Sequence, residues 1–200
     1  MPSVWTSYLA ADSADACAAA VTAAGGTLMM PAFDVGDVGR MFVAVDPSGA
    51  AFGVWEAKAH TGAGVFNEDG AYCWKKLHTL NYDAARDFYA KAFGYSFTDI
   101  GGDGFTYCVF ALDGGGPESA IGGVADDANT PGAEMPYWLT WFQADDADAM
   151  VAKVEQLGGS VIMPADTSPF GRMAIVTGPE GEVFGIIDPT TTLAMDEAAV

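Results

Sequence analysis

The carboxy-terminal third of the chain repeats an earlier stretch almost piece by piece. Residues 137–188 match residues 4–55 at a nearly constant offset. The matching pieces are Ala144-Asp145 with Ala11-Asp12, Gly158-Gly159 with Gly25-Gly26, Met163-Pro164 with Met30-Pro31, Gly171-Arg172-Met173 with Gly39-Arg40-Met41, and Phe184-Gly185 with Phe52-Gly53. Self-similarity over such a length indicates two copies of one supersecondary element. It limits the possible folds more strongly than any single residue does.

The periodicity of apolar residues predicts the layout of one repeat. Residues 137–143 form a short aromatic-rich run that is typical of a strand. Asp145 then stands where an N-cap is expected, and apolar residues recur at helical spacing up to Gly158, which ends the helix. Three further short apolar runs predict strands at 160–163, 172–177 and 182–187. The repeat is therefore predicted to be β-α-β-β-β.

A third, diverged copy runs from about Tyr72 to Val124. Asn81 takes its cap position and Gly94 its stop position. These patterns predict the following domain organisation: a β-α-β-β-β repeat at 1–57, a linker at 58–71, the diverged repeat at 72–125, a second linker at 126–136, the last repeat at 137–190 and an acidic tail at 191–200.

Sequence motifs in two of the repeats resemble those of a known superfamily. The diverged copy carries Phe88-Tyr89 followed by Phe93-Gly94-Tyr95, and the first copy carries Asp46-Pro47-Ser48-Gly49-Ala50-Ala51-Phe52-Gly53. This combination resembles the vicinal oxygen chelate superfamily of glyoxalase I, extradiol dioxygenases and bleomycin-resistance proteins, and within it the actinobacterial glyoxalase-like proteins with tandem units. The resemblance implies an α+β fold in which repeated units form cup-shaped mixed sheets with the helices outside.

The resemblance also implies where a metal ion would bind. Metal-dependent members take ligands from the first and the last strand of a repeat. Seven residues before the predicted caps the chain has Trp5, Trp74 and Trp138, and the last-strand positions hold Gly53 and Gly185. Neither indole nor glycine offers a metal ligand. The sequence therefore predicts no metal and no other cofactor.

Side chains on the same face of the three first strands are the predicted ligand-binding residues. They are Trp5, Trp74, Lys76, His78, Trp138, Thr140 and Phe142. Aromatic walls with a few polar groups are the usual lining of a small-molecule pocket. Tryptophans near strand starts are as often plain core, with the indole N–H bonded to protein. The sequence leaves both interpretations open.

Two functions follow from different classes. The first is a metal-free binding protein of the bleomycin-resistance kind, taking a small aromatic or heteroaromatic metabolite or antibiotic. The alternative is a metal-dependent lyase, isomerase or dioxygenase of the same superfamily with non-standard ligands. A dimeric scaffold without a small ligand is a third possibility. No catalytic residue is predicted.

Charge and composition limit the classes of binding partner and the compartment. The formal net charge is −19, which disfavours nucleic acid and anionic membranes as partners because both are polyanions. The three cysteines, Cys17, Cys73 and Cys108, are far apart and predict reduced thiols. With no apparent secretory signal, the expected compartment is the cytoplasm.

The number of repeats bears on the oligomeric state. Two repeats pair to form one cup-shaped sheet, so three repeats leave one without a partner. Its open sheet edge predicts a homodimer.

Overall fold

The computed structural model describes residues 3–102, 104–130 and 133–193. Beyond residue 193, the predicted acidic tail lies outside the described residues.

Each repeat begins with a strand that leads into a helix. The helices are α1 (Ala14–Ala23), α2 (Tyr82–Phe93) and α3 (Ala147–Gln156). The strands are β1 (Tyr8–Ala10), β2 (Thr27–Leu28), β3 (Phe33–Val35), β4 (Gly39–Val45), β5 (Ala51–Ala57), β6 (Tyr72–Thr79), β7 (Ser96–Asp99), β8 (Tyr107–Ala111), β9 (Gly122–Asp126), β10 (Tyr137–Gln143), β11 (Ser160–Ser168), β12 (Gly171–Thr177) and β13 (Val183–Asp188). Helices and mixed β-sheets confirm the predicted α+β class.

The helix caps differ from the prediction in two of the three repeats. The side chain of Asn81 accepts a hydrogen bond at the start of α2, as expected. The other two caps are Ser13 and Asp146, each one residue later than the predicted Asp12 and Asp145. Each of the three side chains accepts a bond from the backbone N–H three residues on, which satisfies a free donor of the first turn. Because side chains alternate along a strand, this shift of one residue changes which strand residues share a face.

The chain divides into two compact units. The larger unit consists of residues 6–62 and 75–138, and the smaller unit consists, in the described part, of residues 3–5, 63–74 and 139–193. Two of the four boundaries fall within β6 and β10, and the other two lie before β1 and in the loop after β5. The predicted limits of the three repeats and their linkers stay a prediction.

The larger unit contains two sets of strands and two helices. One set has the order β1-β5-β4-β2, with β3 also on β4, and the other has the order β6-β9-β8-β7. The pairs β1–β5 and β6–β9 are parallel, and the remaining pairs are antiparallel. In the core the ring of Phe52 on β5 meets Phe88 and Tyr89 of α2 edge to face, with centroids 6.0 and 5.7 Å apart.

The smaller unit contains α3 and the strands in the order β11-β12-β13-β10. Strands β10 and β13 are parallel, and β12 is antiparallel to both of its neighbours. The apolar stripe of α3 packs on a small core that includes Val176 and Ile186, both almost fully buried. Among the described residues, no helix is long and apolar enough to cross a membrane.

Candidate functional site

A group of polar and aromatic side chains surrounds strand β6 in the larger unit. Lys76 and His78 lie two residues apart on this strand and therefore share one face. On the neighbouring parallel strand β9 they stand beside Gly123 and Ala125. Because these two residues have almost no side chain, the space next to Lys76 and His78 is left to other groups. We call the five residues Lys76, His78, Tyr107, Asp127 and Tyr137 the His78 cluster.

His78 forms a buried pair with Asp127. Its Nδ1 lies 2.7 Å from Oδ2 of Asp127, and the side chain of His78 is only 8% exposed. The backbone N–H of Asp127 donates to the carbonyl oxygen of Thr79, which holds the carboxylate in place. A carboxylate accepts hydrogen bonds, so Nδ1 carries a proton and the neutral imidazole presents a lone pair at Nε2.

The Nε2 atom of His78 is buried and has no hydrogen-bond partner among the described residues. Two other buried side-chain atoms share this property there, Oγ of Ser7 and Nε1 of Trp141. A buried polar atom without a partner costs about 1–3 kcal/mol. Because the other nitrogen of the same imidazole is bonded to a carboxylate, the free Nε2 suggests that a ligand supplies the missing bond.

Aromatic rings flank both basic side chains. The ring of Tyr137 stacks on the imidazole of His78, with centroids 4.6 Å apart and planes 3° from parallel. The Nζ atom of Lys76 lies 5.6 Å from the centroid of the Tyr107 ring, within cation–π range. At Gly123 a Cβ atom would overlap the hydroxyl of Tyr107, so the glycine is what lets this ring lie against β9.

Burial controls the protonation of the two basic groups. The pKa of His78 is lowered, first by desolvation and also by the charge of Lys76, although Asp127 acts in the opposite direction. Desolvation also lowers the pKa of Lys76, against the attraction of Asp127, and it lowers the pKa of the adjacent Lys75 to about 8. At neutral pH the cluster therefore holds a neutral imidazole next to a poorly solvated ammonium group. Such a pair is suited to accept a proton and to stabilise an anion.

Two of the seven predicted site residues, Lys76 and His78, belong to the His78 cluster. Trp138 does not join them, because the neighbouring Tyr137 faces His78 and successive residues of a strand point to opposite faces. Trp138 is buried in the core of the larger unit, where its indole N–H donates to the hydroxyl of Tyr89 at 3.0 Å. Thr140, on β10 in the smaller unit, is also buried. Trp74 is half-buried and lies on the part of β6 that belongs to the smaller unit.

The remaining two predicted residues, Trp5 and Phe142, meet in the smaller unit. Trp5 lies before β1, is 46% exposed, and packs edge to face on Phe142 and Phe184 at 5.0 and 6.4 Å. A largely apolar cavity of about 240 Å³ lies beside them. Its lining consists of Trp5, Gly70, Phe142, Gln143, Met150, Phe184 and Ile186. This second aromatic cluster carries no charged side chain.

Three residues of the His78 cluster were missed by the sequence reasoning: Tyr107, Asp127 and Tyr137. Asp127 falls in the stretch predicted as a linker. Tyr137 begins strand β10, and the predicted cap, one residue too early, places the wrong set of alternate β10 residues on the site's face. Tyr137 would have been found if the cap had been placed at Asp146. Nothing local in the sequence indicates that Tyr107 lies over Gly123, because that contact depends on the pairing of β8 with β9.

The positions that hold a metal in related folds do not fit one here. With the observed caps, the position seven residues earlier is Thr6, Trp74 or Leu139, which corrects the predicted Trp5 and Trp138. The last-strand position Gly185 is covered by the ring of Trp141, which a Cβ atom there would overlap. Among the described residues, no three His, Cys, Asp or Glu side chains converge. The donor set at these positions therefore lacks the nitrogen, thiolate or carboxylate ligands that a transition metal requires.

Comparison with known proteins identifies the family. The model of the glyoxalase/bleomycin resistance protein/dioxygenase superfamily matches residues 77–186. The chain belongs to this superfamily. It is 40% identical over 191 residues to CFP32, a glyoxylase-like protein of Mycobacterium bovis, an alignment that covers 94% of this chain and 71% of that protein.

One further relative and one solved structure are also similar to this chain. The anthracycline biosynthesis protein DnrV of Streptomyces peucetius is 39% identical over 189 residues, with 94% of this chain and 66% of DnrV covered. The Mn(II)-bound glyoxalase of Novosphingobium aromaticivorans shares the fold, with a TM-score of 0.60, 19% identity, and 93% of this chain and 65% of that chain covered. The chain thus spans about two thirds of the length of these proteins.

Proposed function

We propose that this protein binds a small aromatic or heteroaromatic metabolite or antibiotic at the His78 cluster, without a metal ion. The observation that carries the proposal is the buried, unpartnered Nε2 of His78 beneath the stacked ring of Tyr137. A ligand with a polar edge satisfies this atom, and its ring lies among aromatic side chains. Aromatic walls with few convergent polar groups are typical of small-molecule sites.

The names of the relatives support an aromatic ligand. DnrV is an anthracycline biosynthesis protein, and an anthracycline contains a hydroxylated polycyclic quinone. Planar rings of this kind stack well on tyrosine, and each stacked pair adds about 0.5–1.5 kcal/mol beyond the burial of its area. Among the predicted site residues, Lys76 and His78 provide the polar contacts. Trp5, Trp74, Trp138, Thr140 and Phe142 lie outside this cluster and are also proposed as ligand-binding residues.

The enzyme alternative is kept because CFP32 is described as glyoxylase-like. A metal-dependent lyase, isomerase or dioxygenase would need ligands other than those at Trp74 and Gly185, which carry no donor atoms. Conversion of the hemithioacetal of methylglyoxal and glutathione, lost on treatment with a chelator, would favour this alternative. The donor chemistry of the described residues favours binding.

We also propose a homodimer in the cytoplasm. Strand β1 pairs on one side with β5, and large apolar side chains of the larger unit stand exposed, among them Tyr8, Met29 and Phe33. An open edge with exposed apolar groups favours pairing with another chain. Light scattering at micromolar concentration is the test, and a strict monomer contradicts the proposal. The cytoplasmic location is supported by three free cysteines.

The test of binding uses 1,4-dihydroxyanthraquinone as the probe and calorimetry or equilibrium dialysis as the measurement. Tyr137→Leu removes the stacked ring while keeping apolar bulk, and we expect it to weaken binding about tenfold, close to the upper value for one stacked pair. Phe105→Leu is the matched control, since Phe105 is similarly exposed, lies in the same unit and is outside the cluster. Equal affinity of wild type and Tyr137→Leu, or no binding at all, would overturn the proposed function.

A further inference from the structure

We propose that His78 ionises the bound ligand: an acidic hydroxyl of the phenol or enol type gives its proton to Nε2, and the resulting anion is held beside Lys76. This inference rests on the proposed function and names the chemical class of its ligand. The observations behind it are the fixed tautomer of His78, the unpartnered Nε2 and the position of Lys76.

The first step concerns the kind of group that fits Nε2. Because Nδ1–H donates to Asp127 at 2.7 Å, the free nitrogen is an acceptor and requires a donor from the ligand. A ligand carboxylate is already ionised at neutral pH and has only acceptor atoms, so it would face the lone pair of Nε2 unfavourably. A hydroxyl group provides the proton that this atom lacks.

The second step concerns charge. Lys76 lies on the same face of β6 as His78, and the two side chains are close enough for the charge of Lys76 to disfavour protonation of His78 in the absence of a ligand. An oxyanion between them reverses this effect, because it attracts both the ammonium group and a newly formed imidazolium. The unliganded cluster is therefore disposed to stay neutral at His78 until an acidic hydroxyl arrives.

The proton transfer is balanced within the site. The O–H bond of the ligand breaks, an N–H bond forms at Nε2, and no charge enters or leaves the complex. Asp127 holds the imidazolium through Nδ1–H, and Lys76 pairs with the phenolate or enolate. The other facing groups are Tyr107 on β8 and Tyr137 on β10. Desolvation and then Asp127 raise the pKa of Tyr137, so its own hydroxyl does not compete as the acid.

Access to Nε2 involves Tyr137. This residue is 39% exposed, whereas Tyr107 is 9% exposed and His78 is 6% exposed. Tyr137 is thus the most exposed member of the cluster, since Lys76 and Asp127 are half-buried. Rotation of its side chain uncovers the imidazole and leaves the tyrosine ring beside the ligand.

The experiment uses two probes of nearly equal shape, 4-nitrophenol and 4-nitroanisole. The first has an acidic hydroxyl whose ionisation produces a strong visible absorbance band, and the second has a methyl ether in its place. Difference spectra are recorded below the solution pKa of 4-nitrophenol, where the free probe is mostly neutral. We expect wild-type protein to raise the ratio of phenolate to phenol about tenfold or more, which corresponds to a shift of about one pKa unit.

Variants separate ionisation from binding. His78→Gln keeps a polar side chain but removes the base, and we expect it to bind 4-nitrophenol more weakly than wild type and without producing the phenolate band. Lys76→Met is expected to lower the phenolate ratio about tenfold, because a single opposite charge shifts a pKa by one unit or more. His60→Gln is the matched control, since His60 is the second of two histidines and is exposed in a loop. It should behave as wild type.

Three results would overturn the inference. In the first, both probes bind equally and no phenolate band appears, which leaves the proposed function standing. In the second, His78→Gln produces the band as strongly as wild type, so that the base lies elsewhere. In the third, 4-nitrophenol fails to bind while 1,4-dihydroxyanthraquinone does. Failure of every aromatic probe to bind removes the proposed function and this inference together.

Discussion

The hydroxyl of Tyr89 donates a hydrogen bond to Oδ2 of Asp46 at 3.1 Å, and both residues are buried in the larger unit. The other carboxylate oxygen of Asp46 accepts from Ser48, Gly49 and Ala50 and so closes the turn between β4 and β5. The same tyrosine hydroxyl accepts from the indole of Trp138. The hydroxyl oxygen of Tyr89 therefore links helix α2 both to that turn and to Trp138.

Tyr89→Phe should destabilise the protein by about 1–3 kcal/mol, because it leaves a buried carboxylate oxygen and a buried indole N–H without their partner. The measurement is the free energy of unfolding from urea denaturation. Tyr8→Phe is the control, since the only bond of its hydroxyl among the described contacts is a long one to the sulfur of Met41. Equal unfolding midpoints for Tyr89→Phe and wild type would contradict the role given to this hydroxyl.

Trp138 and Trp5 should respond differently to truncation. Trp138→Ala is expected to cost about 3–5 kcal/mol of stability, the range for a buried aromatic residue. Trp5→Ala should cost clearly less, because Trp5 is 46% exposed and Trp138 is 7% exposed. Thermal and urea unfolding of both variants gives the comparison. Similar losses for the two variants would show that Trp5 is as firmly packed as the core tryptophan.

The fold could be predicted from the sequence, because many matching positions support the internal repeat. A match of Gly39-Arg40-Met41 with Gly171-Arg172-Met173 does not depend on the placement of one cap. The structure shows what these arginines do: Arg40 bonds Asp15 and Arg172 bonds Asp148, each pair joining β4 or β12 to the first turn of the preceding helix.

The site could be predicted only in part, because it depends on which strand residues share a face and on contacts between residues far apart in the sequence. Consecutive aspartates at 145 and 146 both suit an N-cap. A cap at Asp145 predicts that Trp138 faces the site, whereas the observed cap at Asp146 places Tyr137 on that face. Asn81 has no such competitor, and on β6 the selected Lys76 and His78 do belong to the cluster. Asp127 reaches His78 across a sequence separation of 49 residues, a contact that local patterns do not encode.

His78 should make stability depend on pH. Its folded-state pKa lies below the ordinary value of 6.5, so the unfolded chain takes up a proton more readily than the folded protein. The stability it contributes is therefore fully present above pH 6.5 and is lost as the pH falls through 6.5 towards the folded-state pKa. Urea midpoints of wild type and His78→Gln between about pH 5 and pH 8 test this. We expect a flatter profile for His78→Gln, and the opposite slope would refute the sign.

Removal of metal ions should leave ligand binding unaffected. Dialysis against a chelator is expected to change the affinity for 1,4-dihydroxyanthraquinone by less than about twofold, since the positions of Trp74, Leu139 and Gly185 offer no ligand atoms. Elemental analysis of the purified protein accompanies the binding measurement. Close to one transition metal ion per chain, together with loss of binding on chelation, would favour the metal-dependent alternative.

Gly123→Ala tests whether the packing around Tyr107 forms the site. The new Cβ atom would overlap the tyrosine hydroxyl, and overpacking of this kind typically costs about 1–3 kcal/mol. The displaced ring should also weaken binding of the aromatic probe, because it leaves Lys76 without its flanking wall. Gly64→Ala is the control, since an added Cβ meets nothing within 4 Å there.

The cause of that effect can be isolated by pairing Gly123→Ala with Tyr107→Leu. Leucine lacks the hydroxyl and the distal ring atoms that the new methyl group would meet, so Gly123→Ala should be nearly neutral for stability in the Tyr107→Leu background. A double-mutant cycle then gives a coupling energy close to the full cost of the single glycine substitution. If the cost of Gly123→Ala is the same in both backgrounds, it arises from the backbone of β9 and the tyrosine is not the group that the glycine accommodates.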